Sequence, residues 1–255
     1  MEKRVQILDL DFLDYFTPTR PYPFHADFDN KYRFPRKLIN ANGPSSLKQF
    51  SSSMRPCEVV GFQFLKALQL KSVTITDEGV HHFLSHCPLL ERLVVHGSYR
   101  LHQLRVSGTS LALKHLEICM CDELKSIEVC DTNLVSFSYY GDEISLLLQN
   151  VPLLVDVFIY EHSIKLVFMD CILPQLSGFF PQLQVLRLEI LQLLVELDHY
   201  DFPELTNLKH LEISVSLHPN DSLLVLTPLI EASPCLERFV LLLETSNFGK
   251  RREKE

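Results

Sequence analysis

One phrase recurs along the 255-residue chain. It consists of an apolar residue, two variable residues, a second apolar residue, one variable residue and a third apolar residue. The clearest copies are Leu65-Leu68-Leu70, Leu90-Leu93-Val95, Leu113-Leu116-Ile118, Leu183-Leu186-Leu188 and Leu208-Leu211-Ile213. Looser copies are Leu134-Phe137-Tyr139, Leu154-Val157-Ile159 and Leu236-Phe239-Leu241. Successive starts from Leu65 to Leu236 lie 20 to 29 residues apart. The last two apolar positions of a copy are two residues apart, so they share one side of a strand. The first sits three residues earlier, where the chain turns in. One such strand cannot bury its apolar side alone. Stacked parallel copies can, and they build a core that grows in one dimension.

A period in this range is that of leucine-rich repeats. The expected fold class is therefore α/β: a leucine-rich-repeat solenoid with a parallel concave sheet and short helices or second strands on the convex side. Strands are expected near 65–70, 90–95, 113–118, 134–139, 154–159, 183–188, 208–213 and 236–241. Val5-Leu8-Leu10 opens the array, with a degenerate second copy at Leu47-Lys48-Gln49-Phe50. Two kinds of return path are legible. Thr76 or Asp77 can cap a short helix whose apolar face carries Val80, Phe83 and Leu84, stopped by Pro88. Leu224 to Ala232, ended by Pro234, reads the same way. The segments Leu101 to Val106 and Leu124 to Val129 alternate apolar and polar residues instead, as second strands do. Ser98 and Cys121 hold equivalent places after a strand, where a small polar group can satisfy the turn backbone. The repeat domain is expected over 1–245. It contains a long loop at 14–46, marked by Pro18, Pro21, Pro23 and Pro35, and is followed by a charged tail at 246–255.

Composition limits the function classes. The formal charge is −8, which argues against the broad basic face that binds nucleic acid. No run approaches the ~18–20 apolar residues of a membrane span. The start, Met1-Glu2-Lys3-Arg4-Val5, lacks the apolar stretch of a signal peptide. A cytoplasmic or nuclear location follows as the expectation, with the seven cysteines as thiols.

Motifs that could carry chemistry are better read as repeat features. His82 and His86 are four apart with Cys87 next to them, a spacing that could hold zinc on a helix, but no second ligand cluster accompanies them. Cys119 and Cys121 are closer together than paired zinc cysteines usually are, and Cys121 already has a structural place. There is no nucleophile elbow or glycine-rich phosphate loop. Glu91, Glu117, Glu212 and Glu237 recur with the repeat, as expected of a solvated strand face. No catalytic, cofactor-binding or metal-binding residue is expected, and the chain reads as a binding module, not an enzyme.

The candidate partner-binding residues are the third and fifth of each phrase, which alternate away from the buried leucines. They include Arg92 and Val94, His115 and Glu117, Asp156 and Phe158, Val185 and Arg187, His210 and Glu212, and Arg238 and Val240. The set mixes both charges with apolar groups, which suits a protein target better than nucleic acid. Phe158 and Arg187 are the best anchors, since aromatics and Arg dominate binding hot spots.

Several runs together resemble the repeat region of plant F-box/leucine-rich-repeat proteins of the FBD-associated type. They are Phe64 to Val73, Cys87 to Leu93, Leu113 to Ile118, Leu124 to Val129 followed by Asn133 to Phe137, and Ala232 to Arg238. The resemblance covers most of residues 3–245. It implies the target-holding repeats of a ubiquitin-ligase substrate receptor, in which an N-terminal F-box grips the Skp1 adaptor. Here the first phrase begins by Val5, leaving no room for an F-box, so Skp1 is not expected as a direct partner. Two other readings stay open: a small-ligand, hormone-type receptor domain, and a truncated paralogue without ligase function.

Overall fold

The structure, a computed structural model, describes residues 5–11, 62–161, 173–190, 202–217 and 222–245. The loop expected at 14–46, the phrase at 47–50 and the tail at 246–255 fall outside them. The chain forms two compact units.

The first unit holds strands β1 (Ile7–Asp11), β2 (Ala67–Lys71), β3 (Arg92–His96), β4 (Gln103–Ser107), β5 (His115–Cys119), β6 (Ser126–Cys130) and β8 (Ser145–Gln149), with helix α1 (Asp77–His86) after β2. β1, β2, β3 and β5 pair in parallel, in that order. Their register aligns Leu8, Leu68, Leu93 and Leu116, and beside them Leu10, Leu70, Val95 and Ile118. From β2 onward every member of both rows is buried. β4, β6 and β8 form a second parallel sheet, aligning Leu104, Ile127 and Leu146 and then Val106, Val129 and Leu148, all buried. The two alternating segments are therefore second strands, as their pattern indicated.

Thr76 caps α1 by accepting the Gly79 N–H at 3.3 Å. Asp77 and Glu78 sit in its first turn, at the positive end of the helix dipole. Val80, Phe83 and Leu84 form its buried face.

The strands begin two residues later than the phrases suggest. The first leucine lies in the inward turn before the strand, and the carbonyl of the previous repeat ties that turn down. Lys66 and Ala67 both donate to Gln6, Glu91 and Arg92 to Lys66, and Lys114 and His115 to Glu91.

Strand exits are equally regular. The residue directly after β2, β3, β4, β5, β6 and β8 has positive φ: Ser72, Gly97, Gly108, Met120, Asp131 and Asn150. Four of these N–H groups donate sideways to the last strand residue of the next layer: Ser72 to His96, Gly97 to Cys119, Gly108 to Cys130 and Asp131 to Gln149. Past this bend Ser98 works as its sequence position suggests. Its hydroxyl accepts the Ile75 N–H at 3.0 Å and donates to the Ile75 carbonyl at 2.8 Å. Cys121 makes weaker thiol contacts with the carbonyls of Cys119 and Val95.

The second unit holds β7 (Ser136–Gly141), β9 (Asp156–Glu161), α2 (Leu173–Leu176), β10 (Val185–Ile190), β11 (His210–Leu217), α3 (Thr227–Glu231) and β12 (Arg238–Thr245). β7, β9, β10, β11 and β12 pair in parallel, in that order. One interior row runs Phe137, Val157, Leu186, Leu211 and Phe239. The next runs Tyr139, Ile159, Leu188, Ile213 and Leu241. Both rows are buried through β11. A 3₁₀ turn, Leu223–Leu226, leads into α3, and together they bury Val225, Leu226 and Leu229, the helical return expected there. Each unit is thus a stack of leucine-rich repeats. Among the described residues no helix is long and apolar enough to cross a membrane.

Candidate functional site

Alternation along each strand turns the side chains between the buried leucines to the open side of the sheet. Arg92, His115 and Glu117 lie on this side in the first unit. Asp156, Phe158, Arg187, His210, Glu212 and Arg238 lie on it in the second.

In the first unit Glu117 is the hub. Its carboxylate accepts from Arg92 Nη2 at 3.1 Å and from His96 Nε2 at 2.8 Å. The His96 hydrogen bond holds the carboxyl below its ordinary range. Burial works against this, and the positive charges of His96, Arg92 and Lys71 add to it. One outward position departs from the expectation. Val94 is buried at 1% exposure, between Arg92 and His96 on its strand and in register with Glu117. His115 stays exposed, in register with Arg92. At the start of the array Lys71 lies 3.7 Å from Asp11.

In the second unit the register aligns Asp156, Val185, His210 and Arg238 in one row and Phe158, Arg187, Glu212 and Val240 in the next. Arg187 Nη2 reaches diagonally to both carboxylate oxygens of Asp156, one at 2.7 Å. Phe158, the register neighbour of Arg187, is half-buried beside it. His210 Nε2 lies 3.6 Å from Glu212, too far for a good hydrogen bond. Both His210 Nε2 and Arg187 Nε are buried nitrogens without a hydrogen-bond partner. Arg238 is exposed on the last strand. Of the expected residues the structure therefore brings together Arg92 with Glu117, Asp156 with Arg187, and His210 with Glu212.

Three residues of the face were missed in the sequence: His96, Tyr140 and Tyr160. The tyrosine rings stack with centroids 4.0 Å apart. All three stand at the seventh place of their phrases, two beyond the fifth. The same alternation extended by one step would have found them.

The histidine and cysteine cluster on α1 is bound up in its own helix. The His82 and His86 rings stack at 4.1 Å, and His86 Nδ1 bonds the His82 carbonyl at 2.9 Å. Burial lowers the His82 pKa, helped by the neighbouring His86 and His81. Burial raises the Cys87 thiol to about 11.

Each unit offers a mixed, pre-paired polar surface, with aromatic insets in the second. It suits recognition of another surface. A family model described as At1g61320/AtMIF1, LRR domain, matches residues 23–253. No curated protein matches the chain. The match carries the plant leucine-rich-repeat part of the resemblance and does not extend to an F-box or FBD type. With parallel strands in register at each described phrase and a family match over most of its length, the chain belongs to the At1g61320/AtMIF1 leucine-rich-repeat domain family.

Proposed function

We propose that this protein-interaction module serves as the target-holding repeat domain of a ubiquitin-ligase substrate receptor, and that it grips its target through the open face of β9, β10 and β11. The observation that carries the reading is the anchor formed by Phe158 and Arg187. Arg187 is tied to Asp156, so its side chain is ordered before a partner arrives and less entropy is lost on binding. It still exposes about a third of its surface, with 36% side-chain exposure. Phe158 next to it offers a half-buried aromatic edge, and the surrounding charges of both signs give a target orientation. Binding is the whole of the proposed role; no residue is assigned to a reaction.

The test is affinity capture from plant extract, comparing the wild-type chain with Phe158→Ala and Arg187→Ala. A target captured by the wild type should be weakened by about 1 kcal/mol or more in each variant. Capture that both substitutions leave intact, but that changes on α1 or β6 abolish, would move recognition away from this face. The ligase part is read separately, from the half-life of the captured protein in cells. It should lengthen when the double variant replaces the wild type. An unchanged half-life would remove the ligase role and leave the binding role standing.

A further inference from the structure

The second unit ends on an unfinished row. Leu211, Ile213 and Val215 of β11 are at most 1% exposed. Their register partners on β12 are Phe239, Leu241 and Leu243. Phe239 is 39% and Leu243 48% exposed, and Leu241 is only partly covered. One step along the same apolar row, burial is lost. The backbone shows the same thing. Arg238 donates its N–H to Lys209, so by alternation Arg238, Val240 and Leu242 turn their main-chain groups toward β11. Phe239, Leu241 and Leu243 turn theirs outward, and among the described residues no strand pairs with that edge. β12 is eight residues long and apolar through its middle. β1, by contrast, is five residues long and carries exposed Asp9 and Asp11, the usual blunting of an edge.

We propose that β12 is a self-association edge, and that its partner is β12 of a second copy, paired antiparallel about a two-fold axis normal to the sheet. The sequence of the strand selects this partner. Such an axis keeps the faces of the two sheets aligned, so opposed residues must point to the same side. With Leu241 on the axis, Leu241 meets its own copy, Phe239 meets Leu243, and Val240 meets Leu242. Arg238 falls in register with Glu244, a residue of opposite charge, at both ends of the pairing. The outward N–H and carbonyl groups of Phe239, Leu241 and Leu243 are those that such a pairing joins. The next allowed register, centred on Leu242, would set Val240 against Glu244 and Phe239 against Thr245. Aromatic-aliphatic and opposite-charge pairs are the favourable cross-strand combinations, so the first register wins. Each copy continues the interior row of the other. The contact is one strand wide, so the dimer is weak and depends on concentration.

Light scattering on the purified 29.5 kDa chain, over about 10–500 µM, should show its mass doubling with concentration. Leu241→Pro removes an outward N–H and leaves the bonds to β11 in place; it should abolish the doubling with the circular dichroism spectrum unchanged. Arg238→Glu should weaken association roughly tenfold, and Arg238→Glu with Glu244→Arg should restore it. Three results would overturn the proposal. One is a monomer throughout the range. Another is a dimer indifferent to Leu241→Pro and Arg238→Glu. The last is a monomer whose Phe239, Leu241 and Leu243 amides are protected from exchange, which would mean that another part of the chain covers the edge.

Discussion

Glu117 and His96 stand on neighbouring strands of the first unit and meet at 2.8 Å, with buried Val94 the register neighbour of Glu117. Their bond makes the folded state prefer an ionised Glu117, whose pKa is lowered from its ordinary 4.5. The contribution to stability is complete above that ordinary value and is lost as pH falls through the lowered one. The pair is partly exposed, so its size is under about 1 kcal/mol. Urea midpoints measured between about pH 2 and 6 should fall less steeply for Glu117→Gln than for the wild type. Superimposable profiles would show that the clasp does not sense protonation.

Leu116 completes the first unit's interior row, which also holds Leu68 and Leu93, and it is 1% exposed. Leu116→Ala removes buried methyl groups and leaves a cavity, at a cost of about 2–5 kcal/mol. Neighbouring layers share that interface, so hydrogen exchange should also quicken in β3 and β2. A denaturation midpoint unaffected by the substitution would contradict the buried role of this column.

The cysteines should separate by reactivity. Burial raises Cys119 and Cys121 to about 12 and Cys87 to about 11, and the thiolate is the reacting species. Cys235 is exposed. Under native conditions an alkylating reagent should label Cys235 within minutes while Cys87, Cys119 and Cys121 stay unmodified until the chain is unfolded. Mass spectrometry of timed digests reads this directly. Early labelling of Cys121 would mean that its layer opens locally.

Met120 leaves β5 at φ +49, and Asn150 leaves β8 at φ +51. A left-handed conformation costs a residue with a Cβ about 1–2 kcal/mol, and Asn tolerates it best. Met120→Gly should therefore raise stability by about 1 kcal/mol, while Asn150→Gly stays near neutral. Thermal melting of the two variants tests the contrast. A destabilised Met120→Gly would show that the methionine side chain contributes more by packing than its backbone costs.

How much was legible in the sequence depends on the range of the interaction involved. Burial of Leu68, Leu93, Leu116, Leu186 and Leu211 follows from spacing alone, because the period of a strand fixes which side each residue takes. The cap at Thr76 and the second strands at 103–107 and 126–130 are also local signals. The two-residue offset of the strands was not, since it arises where the next repeat's N–H groups bond back to carbonyls such as those of Gln6 and Lys66. Val94, an outward position by alternation, is buried, and its register neighbour Glu117 is 23 residues away in the chain. Arg187 and Asp156 are 31 residues apart, and only the register between β9 and β10 reveals them as partners. Ser72, Met120, Asp131 and Asn150 take left-handed turns that glycine would have advertised and these residues do not.

Those turns carry a consequence for descent. In the first unit a single left-handed residue lets the chain off the sheet at a fixed point, and inward turns fastened to the preceding layer let it back on. Whatever lies between the two can lengthen, shorten or exchange a helix for a strand without displacing any residue in the sheet. α1 follows one such exit and β4 follows the next. Insertions and deletions between relatives should therefore collect between the left-handed residue and the following leucine, while the strand count and the open face of that sheet are inherited intact.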